Sequence, residues 1–105
     1  MKILINTDNN LNITQELSDF YKNLIAGELS RFEEQITRIE VHLSDEDGGN
    51  TRGEDSIRCM LEARLEGLEP SVVTAHADNP EQAASEAIEK LKASLSSTIG
   101  RLRDY

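Results

Sequence analysis

The chain has 105 residues, 37% hydrophobic and 30% charged, with one cysteine and a formal net charge of −9. That length and composition fit a single compact domain over residues 1–105; they exclude a disordered chain and an internal disulfide. The acidity repels polyanions over roughly 8–10 Å in physiological salt, so nucleic-acid binding would need a locally basic surface.

Residues 2–6 (KILIN) are a short apolar run before the turn-rich Thr7-Asp8-Asn9-Asn10, and predict a first strand. The run is too short for a signal-peptide core or a membrane span, so a cytoplasmic protein with no membrane partner is expected. Thr14 is the expected N-cap of a first helix, with Glu16 in its first turn. Ile13, Leu17, Phe20, Tyr21, Leu24, Ile25, Leu29 and Phe32 recur at helical spacing and predict its apolar face, with Ile13 and Leu17 stapling the cap. Gly27 is a weak point in that helix, and Glu33-Glu34-Gln35 ends it.

Residues 36–44 alternate, with Ile39, Val41 and Leu43 on one side and Arg38, Glu40, His42 and Ser44 on the other. Residues 56–65 alternate likewise: Ile57, Cys59, Leu61, Ala63 and Leu65 against Arg58, Met60, Glu62 and Arg64. Both predict half-buried strands. Residues 45–53 (DEDGGNTRG) form a polar hairpin loop between them; the acidic stretch 45–55 reads as solvated before it reads as a partner-binding surface. Residues 71–78 predict a fourth strand with Val73, Ala75 and Ala77 inward, although Val72 is also apolar.

The last helix has the best-marked start. Asn79 is the N-cap, Pro80 the first helical residue, Glu81 lies on the positive dipole end, and Gln82 can reach back to the cap. Ala84, Ala87, Ile88, Leu91, Leu95, Ile99 and Leu102 then form an apolar stripe about six turns long. Gly100 is an expected unwinding point. The predicted fold class is α+β, in the order β-α-β-β-β-α. Its four-stranded mixed sheet carries two helices packed on one face; the first two strands are parallel through a right-handed crossover.

Catalytic and metal chemistry find little support. Cys59 is expected to face the core, away from His42 and His76, and reads as a small buried hydrophobe. His42, His76, Glu40 and Glu62 share the wet face without a tight metal-ligand spacing, so no metal site is expected. Gly48-Gly49 is not followed by a helix start, and no phosphate loop, cofactor or small-molecule substrate is expected. Arg38, Arg58 and Arg64 read equally as an RNA-facing stripe or as cross-strand partners of Glu40 and Glu62. Of the aromatics, Phe20, Tyr21 and Phe32 are assigned to the core, which leaves little for base stacking.

The opening KILIN, then Asn12-Ile13-Thr14 with Leu17, Phe20, Tyr21 and Phe32, then Ala75-His76-Ala77-Asp78 leading into Ala83-Ala84, Ala87-Ile88 and Lys90-Leu91 form one ordered set over nearly the whole chain. The set resembles the ribosome hibernation-promoting factor and ribosome-associated inhibitor family, the ribosomal subunit interface proteins, in its short form. The resemblance implies a non-enzymatic inhibitor of translation. Such a protein binds the small ribosomal subunit and its rRNA in the decoding channel under stress or in stationary phase. Carried over by position, the implied rRNA-binding residues are Lys22, Arg31, Arg38, Arg58, Arg64, Lys90, Lys92, Arg101 and Arg103. A second reading starts from the acidity: an interaction module of the same fold that regulates a protein partner and does not bind RNA. The two differ in whether the helix-borne cations converge on one surface or are interspersed with acids.

Overall fold

Strict alternation forces a sheet with one dry face, and every element is arranged around it. The computed structural model describes residues 1–8, 11–46 and 56–103, with the side chains of Leu102 and Arg103 outside the description. The elements are β1 (Lys2–Thr7), α1 (Gln15–Glu28), a single 3₁₀ turn at Ser30–Phe32, β2 (Ile36–Asp45), β3 (Ile57–Leu65), β4 (Ser71–Ala77) and α2 (Pro80–Arg103). This is the expected β-α-β-β-β-α order. The sheet runs β1-β2-β3-β4, with β1 parallel to β2 and the other pairs antiparallel.

Register follows the hydrophobic pattern. Ile39 opposes Ala63, Val41 opposes Leu61 and Leu43 opposes Cys59, all buried. On β4, Ala75 opposes Cys59 and Ala77 opposes Ile57; both are buried, whereas Val72 is 54% exposed. The fourth strand thus has the inward set expected of it. Gly67, at φ 75°, turns β3 toward β4 in a conformation that L side chains rarely adopt. The amide of Glu46 donates to the Ser56 carbonyl across β2 and β3 at 2.9 Å. The acidic loop expected between these residues falls largely outside the described chain.

Helix α2 starts at its expected cap, with the Gln82 backbone N–H donating to Asn79 Oδ1 at 2.8 Å. Ala83, Ala84, Ala87, Ile88, Leu91, Leu95 and Ile99 are buried beneath it. Gly100 does not unwind the helix, which continues to Arg103. One glycine costs about 1 kcal/mol against Ala, less than the burial of the adjoining Ile99 side chain contributes.

Helix α1 departs further from expectation. Thr14 Oγ1 accepts from the Leu17 amide at 3.1 Å, as an N-cap should. The helix then stops at Glu28, one residue beyond the poor helix former Gly27, and the 3₁₀ turn carries the chain on. Leu29 and Phe32 still reach the core. Leu17 and Phe20, however, are 45% and 51% exposed and do not join it. Phe20 sits one step, about 100°, round the helix from the buried Tyr21, which places it on the solvent side of the inter-helix seam. Periodicity allowed a broad apolar face, but the sheet covers only part of it.

Leu91 is wholly buried. Leu91→Ala should therefore lower stability by about 2–5 kcal/mol, and Leu17→Ala by about 1 kcal/mol or less. Urea melts of the two variants check the contrast, and equal losses would contradict the packing described.

Candidate nucleic-acid interface

Both helices cover the same sheet face, so the outward residues of all four strands form an open platform. Pairing arranges them in rows. One row is Lys2, Arg38 and Arg64, and the next is Leu4, Glu40, Glu62 and Val72. Asn6, His42, Met60 and Thr74 follow, then Ser44, Arg58 and His76. The first row sets three cations side by side across about 10 Å, given strand spacings near 4.8 Å. Its Arg38 Nε is buried and has no hydrogen-bond partner among the described residues. Lys2 was not among the residues singled out from the sequence. Its place opposite the inward Ile3 and Ile5 was the signal that could have found it.

The neighbouring acidic row partly neutralises these cations. Arg38 lies 2.8 Å from Glu40, and Arg64 lies 3.1 Å from Glu62 and 3.9 Å from Glu40. Such half-buried pairs at the sheet surface remain in contact with water and contribute on the order of 1 kcal/mol or less each. They orient the guanidinium groups without locking them against a phosphate. The two readings of the arginine stripe therefore coexist for Arg38 and Arg64. Arg58 differs: its guanidinium approaches Met60 Sδ at 3.7 Å and pairs with no carboxylate among the described residues.

The helix-borne cations do not converge on one surface. Lys90 donates to the Thr74 carbonyl at 2.7 Å and covers part of the exposed edge of β4. Arg101 is on the same flank of α2, donating to Ser97 Oγ at 3.1 Å and facing the β3–β4 turn across a cleft. Lys92 points the other way, toward α1, 3.1 Å from Glu28 and 3.4 Å from Glu89. Hydrogen bonding to Glu28 and the charges of Glu28 and Glu89 raise its ammonium above the ordinary lysine value. Arg31 donates to Ser96 Oγ and stacks over Phe32, 4.6 Å from the ring centre, tying the 3₁₀ turn to α2. Lys22 is on the flank of α1 away from Leu24 and Glu28, which face α2. The Arg103 side chain lies outside the described residues.

The platform's two histidines each face a glutamate, His76 at 2.8 Å from Glu46 and His42 at 3.8 Å from Glu40. Among the described residues no group of three His, Cys, Asp or Glu is placed to hold a metal ion. No described helix is long and apolar enough to cross a membrane. Cys59 is fully buried, and burial pushes its thiol up to about 12, against a smaller downward pull from Arg58.

That raised value has a pH signature. The thiol ionises from 9.0 in the unfolded chain but stays protonated to about 12 when folded. Its contribution to stability is full below pH 9 and is lost as pH rises through that window. Urea midpoints should therefore fall more steeply above pH 9 for the wild type than for Cys59→Ala. The native thiol should also be silent to a thiol reagent until the protein unfolds.

Comparison with known proteins places this geometry. The sequence model of the sigma 54 modulation protein / S30EA ribosomal protein family matches residues 4–103. The Thermus thermophilus Protein Y N-terminal domain has the same fold, with a TM-score of 0.72 at 19% identity, covering 93% of this chain and 99% of that one. So does a ribosomal subunit interface protein from Coxiella burnetii, with a TM-score of 0.73 at 16% identity, covering 95% and 99%. No curated protein sequence matches the chain. The chain belongs to the sigma 54 modulation protein / S30EA ribosomal protein family, a family of ribosome-associated modulation factors rather than a known enzyme family.

Proposed function

We propose that this protein is a cytoplasmic, non-enzymatic translation inhibitor that occupies the decoding channel of the small ribosomal subunit under stress or in stationary phase. The observation that carries the reading, beside family membership, is the row Lys2, Arg38 and Arg64 on a sheet face that neither described helix covers. A flat platform with adjacent cations suits rRNA phosphates, which demand charge and position rather than a shaped pocket. Arg58, Lys90, Arg101 and Lys22 have no carboxylate partner among the described residues and are the next phosphate contacts. Arg31, Lys92 and Arg103 complete the set, Lys92 at the cost of leaving Glu28 and Glu89.

Net charge and the carboxylates beside Arg38, Arg64 and Lys92 favour the second reading, an acidic module that holds a protein partner and no RNA. Co-sedimentation with small subunits and intact ribosomes over a salt series separates the two. Binding should fall steeply with salt, and the slope should drop by about 2 in Arg38→Glu/Arg64→Glu as two phosphate contacts go. Glu40→Gln/Glu62→Gln should bind more tightly than the wild type. Absence of binding even at low salt would overturn the ribosome reading and leave the protein-partner reading standing.

A further inference from the structure

The helical side of the molecule carries an apolar strip that the core covers only in part, at Leu24. Leu17 and Phe20 are 45% and 51% exposed, and Leu24 continues the strip one turn further along α1. Phe20 packs edge-on to Tyr21, with ring centres 5.6 Å apart, and this contact favours the outward placement of its ring. Alongside runs a groove of about 230 Å³ between the helices, lined by Leu24, Glu28, Ser85, Ile88 and Glu89. From Leu17 to Glu28 the strip is about 16 Å long, some three helical turns.

Its surroundings are acidic. Glu28 and Glu89 stand on opposite banks. Glu16 lies one turn before Phe20 on α1. Glu81 is close enough to Tyr21 to help raise its hydroxyl above the ordinary value, behind the larger effect of burial. Lys92 is the one described cation here, and it closes the far end by bonding to Glu28 and Glu89. A larger cleft of about 520 Å³ beside β4 lacks this character, since Glu69 and Arg101 both line it and Lys90 already occupies the strand edge.

We propose that the α1–α2 groove docks a basic, amphipathic segment of a partner protein, with its apolar side on Leu17, Phe20 and Leu24 and its Lys or Arg residues against Glu16, Glu81 and Glu89. Charge complementarity selects this occupant. RNA and a second copy of this acidic surface would each bring negative charge to a negative rim. The groove lies on the side of the sheet opposite the cationic row, so a single molecule can hold nucleic acid on one side and protein on the other. Docking at this groove does not require ribosome binding.

The test is a heteronuclear NMR titration of the whole protein with a synthetic Leu/Lys peptide of helical periodicity. Shifts should concentrate at Leu17, Phe20, Leu24 and Ser85. Phe20→Ser should weaken binding about tenfold, as expected for an aromatic anchor, with little change in Tm. Glu81→Gln/Glu89→Gln should weaken it as well, whereas Arg38→Glu/Arg64→Glu should leave it unchanged. Equal affinity for a peptide with Ser in place of Leu would overturn the proposal, because charge alone would then suffice. So would indifference to Phe20→Ser, or the same shifts appearing on raising the protein concentration without peptide, which would assign the strip to a second copy.

Discussion

The structure depends on the burial of one sheet face under the apolar stripes of two helices. Ile39, Val41 and Leu43 from β2 and Cys59, Leu61 and Ala63 from β3 form the centre, and Leu91 and Leu95 of α2 seal it. Each inward residue removes its apolar side chain from water, worth roughly 1.5–3 kcal/mol for a large aliphatic one. Because side chains alternate, the same register that buries these residues obliges their neighbours to face water. The cationic row and the acidic row are thus consequences of core packing. Lys2, Arg38 and Arg64 align because Ile3, Ile39 and Ala63 do.

Much of this was legible in the sequence, and the failures have a common cause. Strand register, the Asn79 cap and the buried face of α2 depend on neighbours close in sequence and on a period that a single element must satisfy. The inward placement of Val73 over Val72 could be read because the alternation of β4 has to match that of β3. What failed was the extent of burial along α1. Leu17 and Phe20 satisfy the helical period as well as Tyr21 and Ile25 do, yet only the latter pair is buried. Tertiary placement decides that, and no local pattern encodes it. The same limit applied to the site. Residue type nominated Arg38, Lys90 and Lys92, but only pairing and helix rotation revealed that Lys90 and Lys92 point to opposite flanks.

The charge of −9 is accordingly distributed rather than uniform. The molecule spends part of its small cationic complement on internal contacts: Lys92 links the helices through Glu28, and Arg31 links the 3₁₀ turn to α2. These groups sit in a solvent-screened setting, so their pairs are weak and exchangeable. A polyanion that offers several phosphates at once competes with single carboxylates on better terms. Net charge therefore sets the long-range approach, and the local rows set what happens on contact.

Two chemically opposed surfaces on one small domain require insulation, and the alternation supplies it. A change at Arg38 or Glu62 alters the platform and leaves the inward side chains in place, whereas a change at Phe20 alters the helical side and leaves the sheet register intact. This separation is consistent with the same fold persisting in relatives at 16% and 19% identity. The inward positions need only remain apolar and of suitable volume, a demand that many sequences meet. The outward positions are then free to change with the partner. An acidic member of a ribosome-associated family is physically reasonable on this account: it retains the buried pattern that makes the fold, and it keeps its cations where the strands align them.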